Sequence, residues 1–192
     1  MKVIKTIVII TLLFGAFTAG RYGIANAMFK STEQQIEIWH RINPESYQSI
    51  EPQYQEQLSN MQTVLMLHRN PQYLETKAQL LEWGVRLQLA DKMDNLNQAN
   101  ALYLESTKLR PSWPVTWASL ALNKWHMAEF DKDFVVYLLN AYRYGKNHPQ
   151  VAQVWQYVST AVKQNKQSKL SELLTPYVSI IDYYDKTLLT ER

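Results

Sequence analysis

The chain of 192 residues contains no cysteine. That excludes disulfides, thiolate metal sites, cysteine nucleophiles and a lipidated N-terminal cysteine. Glycine and proline are scarce, at five and seven residues. Strand-like alternation of apolar and polar side chains is almost missing beyond residue 30, so the composition points to helices rather than sheet. Catalytic strings are missing too: there is no GxSxG, P-loop, GxGxxG or HExxH, and no clustered carboxylate pair. The four histidines, His40, His68, His126 and His148, stand apart, and the nearest approach to a metal arrangement, His126 with Glu129, lacks a second arm. His40 and His68 fall at expected helix ends, where a cation suits the carbonyl terminus, and His126 reads as a solvated turn residue. No catalytic residue, metal or cofactor is expected.

A concentration of basic charge is also lacking. The formal net charge is +3, but four of the 20 basic residues, Lys2, Lys5, Arg21 and Lys30, lie in the first 30 positions, which hold no acidic residue. That leaves 16 basic against 17 acidic side chains in the body, interspersed along it. A nucleic-acid reader needs a basic stripe to neutralise phosphates, so nucleic acid is excluded as a partner.

What is present begins with a long apolar run. Residues 3–20 read VIKTIVIITLLFGAFTAG, uncharged from Thr6 to Gly20 and preceded by two lysines. With Arg21 snorkelling and Tyr22 at an interface, a span over residues 3–24 reaches the length a bilayer needs. The competing reading is a cleaved secretory signal, since Ala25-Asn26-Ala27 has the small-x-small spacing of a cleavage site. The expectation is a retained signal anchor over residues 1–30, single-pass, with the body exported; cleavage would instead release a soluble binder.

The body reads as helices. Ser31-Thr32-Glu33-Gln34 resembles a capping box opening a helix through Ile36, Ile38, Trp39 and Ile42, with Asn43-Pro44 as its stop. A second helix is expected from about Pro52 to His68, together forming a linker or capping hairpin over residues 31–70. Tyr73, Leu74, Ala78, Leu81, Val85 and Leu89 follow at helical spacing, then a turn at Asp91–Asn95, then Leu96 to Leu109, stopped before Pro111. A further helix starts at Pro114, and another pair runs from Val151, with Pro176 expected to kink the last helix.

Spacing then decides the architecture. Trp83 and Trp117 are 34 residues apart, as are Tyr103 and Tyr137. Ala99, Tyr103, Ser106 and Pro111 occupy the small, aromatic, small and proline positions of a second repeat helix, and Trp117, Leu120 and Ala121 those of a first. Over residues 71–165 the pattern resembles the tetratricopeptide repeat, although Arg86, Leu87, Asp133 and Asn140 depart from it and Gly145 stands where a closing proline belongs. The fold class expected is all-α: an N-terminal hydrophobic helix followed by a tetratricopeptide-like stack of helical hairpins, with residues 71–192 forming the repeat domain. The layout, and above all Arg110-Pro111-Ser112-Trp113-Pro114-Val115-Thr116-Trp117-Ala118-Ser119-Leu120-Ala121, resembles the VpsP-type proteins of bacterial exopolysaccharide clusters. That resemblance implies a membrane-attached accessory, in the bacterial inner membrane with its body in the periplasm, whose partners are proteins of an envelope polysaccharide assembly machine.

Six Trp and Tyr residues, Trp113, Trp117, Trp125, Tyr137, Tyr142 and Tyr144, fall between positions 113 and 144. Repeat positions make Trp117 and Tyr137 core, while Trp113, in a loop before Pro114, and Tyr144, before Gly145, are candidates for exposure. Asn123, Lys124, Asn140 and Arg143 are expected to line the same concave side, giving a binding site of Trp113, Asn123, Lys124, Asn140, Arg143 and Tyr144. Three functions compete: a scaffold that captures protein partners, a glycan binder that stacks sugars on exposed rings, and a cryptic glycan-processing enzyme with opposed carboxylates.

Overall fold

The computed structural model describes residues 2–41 and 50–190, and side chains for residues 3–41 and 50–185. The expected stop at Asn43-Pro44, with Ile42 before it, lies outside the described residues. All regular structure among the described residues is helical: α1 (Lys2–Arg41), α2 (Glu51–Leu67), α3 (Pro71–Arg86), α4 (Lys92–Leu109), α5 (Pro114–His126), α6 (Lys132–Gly145), α7 (Pro149–Gln164), α8 (Lys169–Leu174) and α9 (Val178–Thr190), with a 3-10 turn at Thr175–Tyr177. The chain is therefore all-α, a long apolar N-terminal helix followed by paired helices that pack as hairpins. It divides into two compact units, Met1–Asp91 and Lys92–Arg192, so the first 34-residue repeat unit, with Trp83 and Tyr103, is shared between them.

In the first unit α1 runs unbroken for 40 residues, about 60 Å at 1.5 Å per residue. Its two halves differ. The first half is exposed nearly all round, with Ile7, Ile10, Leu13, Phe14 and Phe17 uncovered. There Thr11 and Thr18 turn their hydroxyls back to the carbonyls of Ile7 and Phe14, at 3.0 and 2.8 Å, which hides the polar groups inside the helix. From Ala25 onward the pattern changes. Ala25, Phe29, Thr32, Ile36 and Trp39 are buried at alternating spacings of four and three, the seam of a coiled coil. This seam packs on α2 and α3, where Tyr54, Gln57, Met61 and Val64 supply a matching stripe. Each fully buried large side chain contributes about 1.5–3 kcal/mol.

The capping box read at Ser31–Gln34 is not a helix start. Thr32 lies in the middle of α1 and is fully buried, and its hydroxyl donates to Gln57 Oε1 at 2.8 Å. A polar pair inside an apolar seam penalises any other register, because a slipped Gln57 would lose the Thr32 donor and keep only the 3.4 Å contact from Asn60 Nδ2 on its own helix. Trp39 packs against Tyr54 and Trp83, with ring centroids 6.4 and 5.8 Å apart.

Helix α3 starts as proline physics dictates: the Asn70 side chain accepts from the Tyr73 N–H at 3.0 Å and Pro71 occupies the first position. It ends three residues before the expected Leu89. Gln88 adopts φ +60, its N–H reaching Val85 O at 3.0 Å and that of Leu89 reaching Gly84 O at 2.9 Å. This is a Schellman stop built without glycine. Lys92, Met93, Asp94 and Asn95, expected in the turn, belong to α4 instead.

In the second unit α5 pairs with α6, α7 pairs with α9, and α4 packs on α5. The buried small residues Ala99 and Ser106 of α4 and Ala118 and Ala121 of α5 permit close approach. Helix α5 also ends in a Schellman stop, at Ala128, with φ +59. Trp155 fills the centre of the last hairpin, fully buried and stacked on Tyr184 at 5.8 Å with planes 7° apart. Its indole N–H donates to Leu138 O at 3.2 Å. Pro176 interrupts the last helix as expected, in the 3-10 turn between α8 and α9.

Candidate functional site

The beginning of α5, the end of α6 and the beginning of α7 meet at one corner of the second unit. Arg110 closes the turn after α4, and its guanidinium carbon lies 4.4 Å from the centre of the Trp113 ring, an arrangement in which cation and π-face attract. Trp113 is the N-cap residue of α5 and 39% exposed. His148, the N-cap of α7, meets its ring edge-on at 6.1 Å. Pro114 sits so close to Gly145 that no side chain fits between them, which brings the last residues of α6, Arg143 and Tyr144, to the same corner. Both are exposed, with the Arg143 guanidinium 5.6 Å from the Tyr144 ring.

The six residues expected as one concave row do not form one. Trp113, Arg143 and Tyr144 share this corner. Asn140 is half-buried, more than a turn back along α6. Asn123 and Lys124 lie at the opposite end of α5, about 15 Å away along the helix axis. Asn123 has no exposed surface, and its Oδ1 accepts from Asn100 Nδ2 at 3.3 Å, so its amide ties α4 to α5 where no ligand reaches. Lys124 is committed as well. Its side chain is 11% exposed and bridges Glu129 and Asp131 at 2.7 Å each. Burial alone would lower its pKa, but the hydrogen bonds it donates to Asp131 and Glu129 prevail and hold it above the ordinary lysine range.

Trp117 is a correction of a different kind. It is half-buried rather than core, donating its indole N–H to Pro111 O at 2.7 Å and lying 6.0 Å from the Tyr137 ring. Tyr137 itself is buried. Sequence reasoning passed over Arg110 and His148. A usable signal exists: Trp113-Pro114 and His148-Pro149 are two aromatic-proline pairs 35 residues apart, each opening the first helix of a hairpin.

Chemically the corner offers a partly open indole backed by a guanidinium, and the exposed Arg143–Tyr144 pair on the residues just before Gly145. That suits stacking and capture rather than proton transfer. Among the described residues no group of three or more His, Asp or Glu side chains is placed to hold a metal ion. By length and composition α1 is the single helix among the described residues that is apolar enough to cross a membrane, a test that a signal sequence near the N-terminus also passes. Comparison with protein-family models, curated proteins and solved structures finds no match to any of them.

Proposed function

We propose that this chain is a membrane-anchored scaffold of helical hairpins, held in the bacterial inner membrane by residues 3–24 with its body in the periplasm, and that it recruits protein partners for exopolysaccharide biosynthesis or export. The observation that carries it is the continuity of α1, which joins an uncovered apolar half to the buried seam at Ala25, Phe29, Thr32, Ile36 and Trp39. Retention over cleavage is supported by the same feature. A cut after Ala27 would strip Ala25 from the seam, together with Arg21, which donates to Leu67 O at 2.7 Å, and Tyr22, whose ring meets His68 at 4.6 Å. The polysaccharide assignment rests on the resemblance of residues 110–121 to the VpsP-type proteins.

Three measurements test the reading. Alkaline phosphatase fused after Arg192 is expected to be active, and intact mass of the native protein to include residues 1–27. Deleting the gene is expected to reduce exopolysaccharide several-fold. An inactive fusion rejects the exported body, a start at Met28 rejects the anchor, and unchanged polysaccharide rejects the pathway. A second reading, direct glycan binding, is favoured by the exposure of Trp113 with Arg110 beneath it. Calorimetric binding of polysaccharide fragments, abolished by Trp113→Ala, would establish it over protein capture.

A further inference from the structure

The apolar half of α1 fixes where a bilayer surface would lie. The 18 residues from Val3 to Gly20 rise about 27 Å, close to the ~30 Å hydrocarbon thickness, so Arg21 and Tyr22 fall at the boundary with the headgroups. Helix α2 is antiparallel to α1. Arg21 meets Leu67, Tyr22 meets His68, Thr32 meets Gln57 and Trp39 meets Tyr54. The C-terminal end of α2 is therefore level with the boundary, and its beginning at Glu51 is about 24 Å farther out along the helix axis.

Exposure of apolar surface follows the same geometry. Beyond Gly20, four large apolar side chains of the first unit are exposed among the described residues: Tyr22, Ile24, Ile38 and Met66. Three of them, Tyr22, Ile24 and Met66, gather at the boundary end. Met66 is 68% exposed although it sits on a helix with a full buried face. Water does not favour a thioether side chain so placed, whereas the interfacial zone of a bilayer accepts it. Arg69, in the same turn, is exposed and of the sign that suits anionic headgroups.

We infer that the turn between α2 and α3, from Met66 to Arg69, is a second membrane contact, resting in the phospholipid headgroup layer beside the emerging anchor so that the first unit stands on the bilayer at two points. The inference rests on the proposed spanning of α1, and its test separates the two.

Because the chain has no cysteine, Met66→Cys and Glu51→Cys each give a full-length protein with one labelling site. Both positions are exposed, so neither change disturbs the core. Each variant, labelled with bimane, is reconstituted into liposomes of phosphatidylcholine and phosphatidylglycerol in which a fraction of the lipid carries a nitroxide headgroup. The label at position 66 is expected to lose at least half its emission relative to nitroxide-free vesicles, and that at position 51 to lose under a tenth. Protein that floats with the vesicles but shows equally weak quenching at both positions overturns the headgroup contact and leaves the anchor standing. Failure to float overturns both.

Discussion

Gly145 and Pro114 are in contact to the exclusion of any side chain: a Cβ on Gly145 would lie 2.5 Å from the Pro114 Cγ and 2.6 Å from its Cβ. The proline ring cannot swing aside, so Gly145→Ala must push α6 away from the start of α5. A loss of about 1–3 kcal/mol is expected, read as a lowered urea midpoint. A midpoint within error of the parent would mean the corner yields easily and is not a fixed platform for Trp113 and Tyr144.

Ala128 should respond in the opposite sense. It holds φ +59 at the Schellman stop of α5, a conformation that costs an L-residue about 1–2 kcal/mol and glycine almost nothing. After the greater flexibility of glycine in the unfolded chain is allowed for, Ala128→Gly is expected to stabilise the protein by ~0.5–1 kcal/mol. An unchanged or lowered midpoint in the same titration would contradict the assigned conformation.

Asp131 serves two partners. One oxygen accepts from the Phe134 N–H at 2.9 Å, capping α6, and the other accepts from Lys124 at 2.7 Å. Burial works to raise its pKa, but the Lys124 hydrogen bond and the capping amide outweigh it, so the carboxyl is held below its ordinary value. A depressed carboxyl contributes stability that is present above the unfolded value, near pH 4, and is lost as pH falls through the folded one. Lys124 is shifted upward, so its share is intact below its ordinary value and fades only on the far alkaline side. Asp131→Asn keeps a capping oxygen and is expected to cost under ~1 kcal/mol at pH 7, since its own side chain is partly solvated, and to flatten the loss on the acid side of the unfolded value. Asp131→Ala should cost about 1–2 kcal/mol by removing the cap as well. An unaltered acid limb in Asp131→Asn would refute the linkage.

The tryptophans should rank by burial and not by repeat position. Trp155→Ala is expected to cost about 3–5 kcal/mol, Trp113→Ala well under ~1, and Trp117→Ala an amount between them. Equal losses from Trp117→Ala and Trp155→Ala in urea would show that the repeat position governs after all.

What could be read ahead of the structure was whatever acts locally. Pro114 opening α5, Pro71 following a capping Asn70, and Pro176 breaking the last helix follow from a missing N–H and a fixed φ, which need no knowledge of the fold. The Trp and Tyr spacings pointed to paired helices, which α5 and α6 form, although Trp117 does not take the core position that its spacing suggests. Failures came where a distant or unmarked partner decides. Ser31–Gln34 looks like a helix start until Gln57, 25 residues beyond Thr32, claims the Thr32 hydroxyl in the interior of α1. Asn123 looks like a surface amide until Asn100 buries it. The stop at Gln88 was invisible because glycine, its usual marker, is absent. Lys124 looks like a binding residue because its carboxylate partners reach it only once the chain has reversed at Ala128.

Helix α1 has no joint between its uncovered and its packed halves, and this makes it a lever. With the apolar half in a bilayer, a thinner or thicker membrane that changes its tilt must swing the first unit through the same angle. Rotation is transmitted likewise: one residue inserted between Gly20 and Ala25 would turn the seam by about 100° against the span and lift it by about 1.5 Å. With that half in a bilayer, the number of residues in this short stretch would set the attitude of the whole unit.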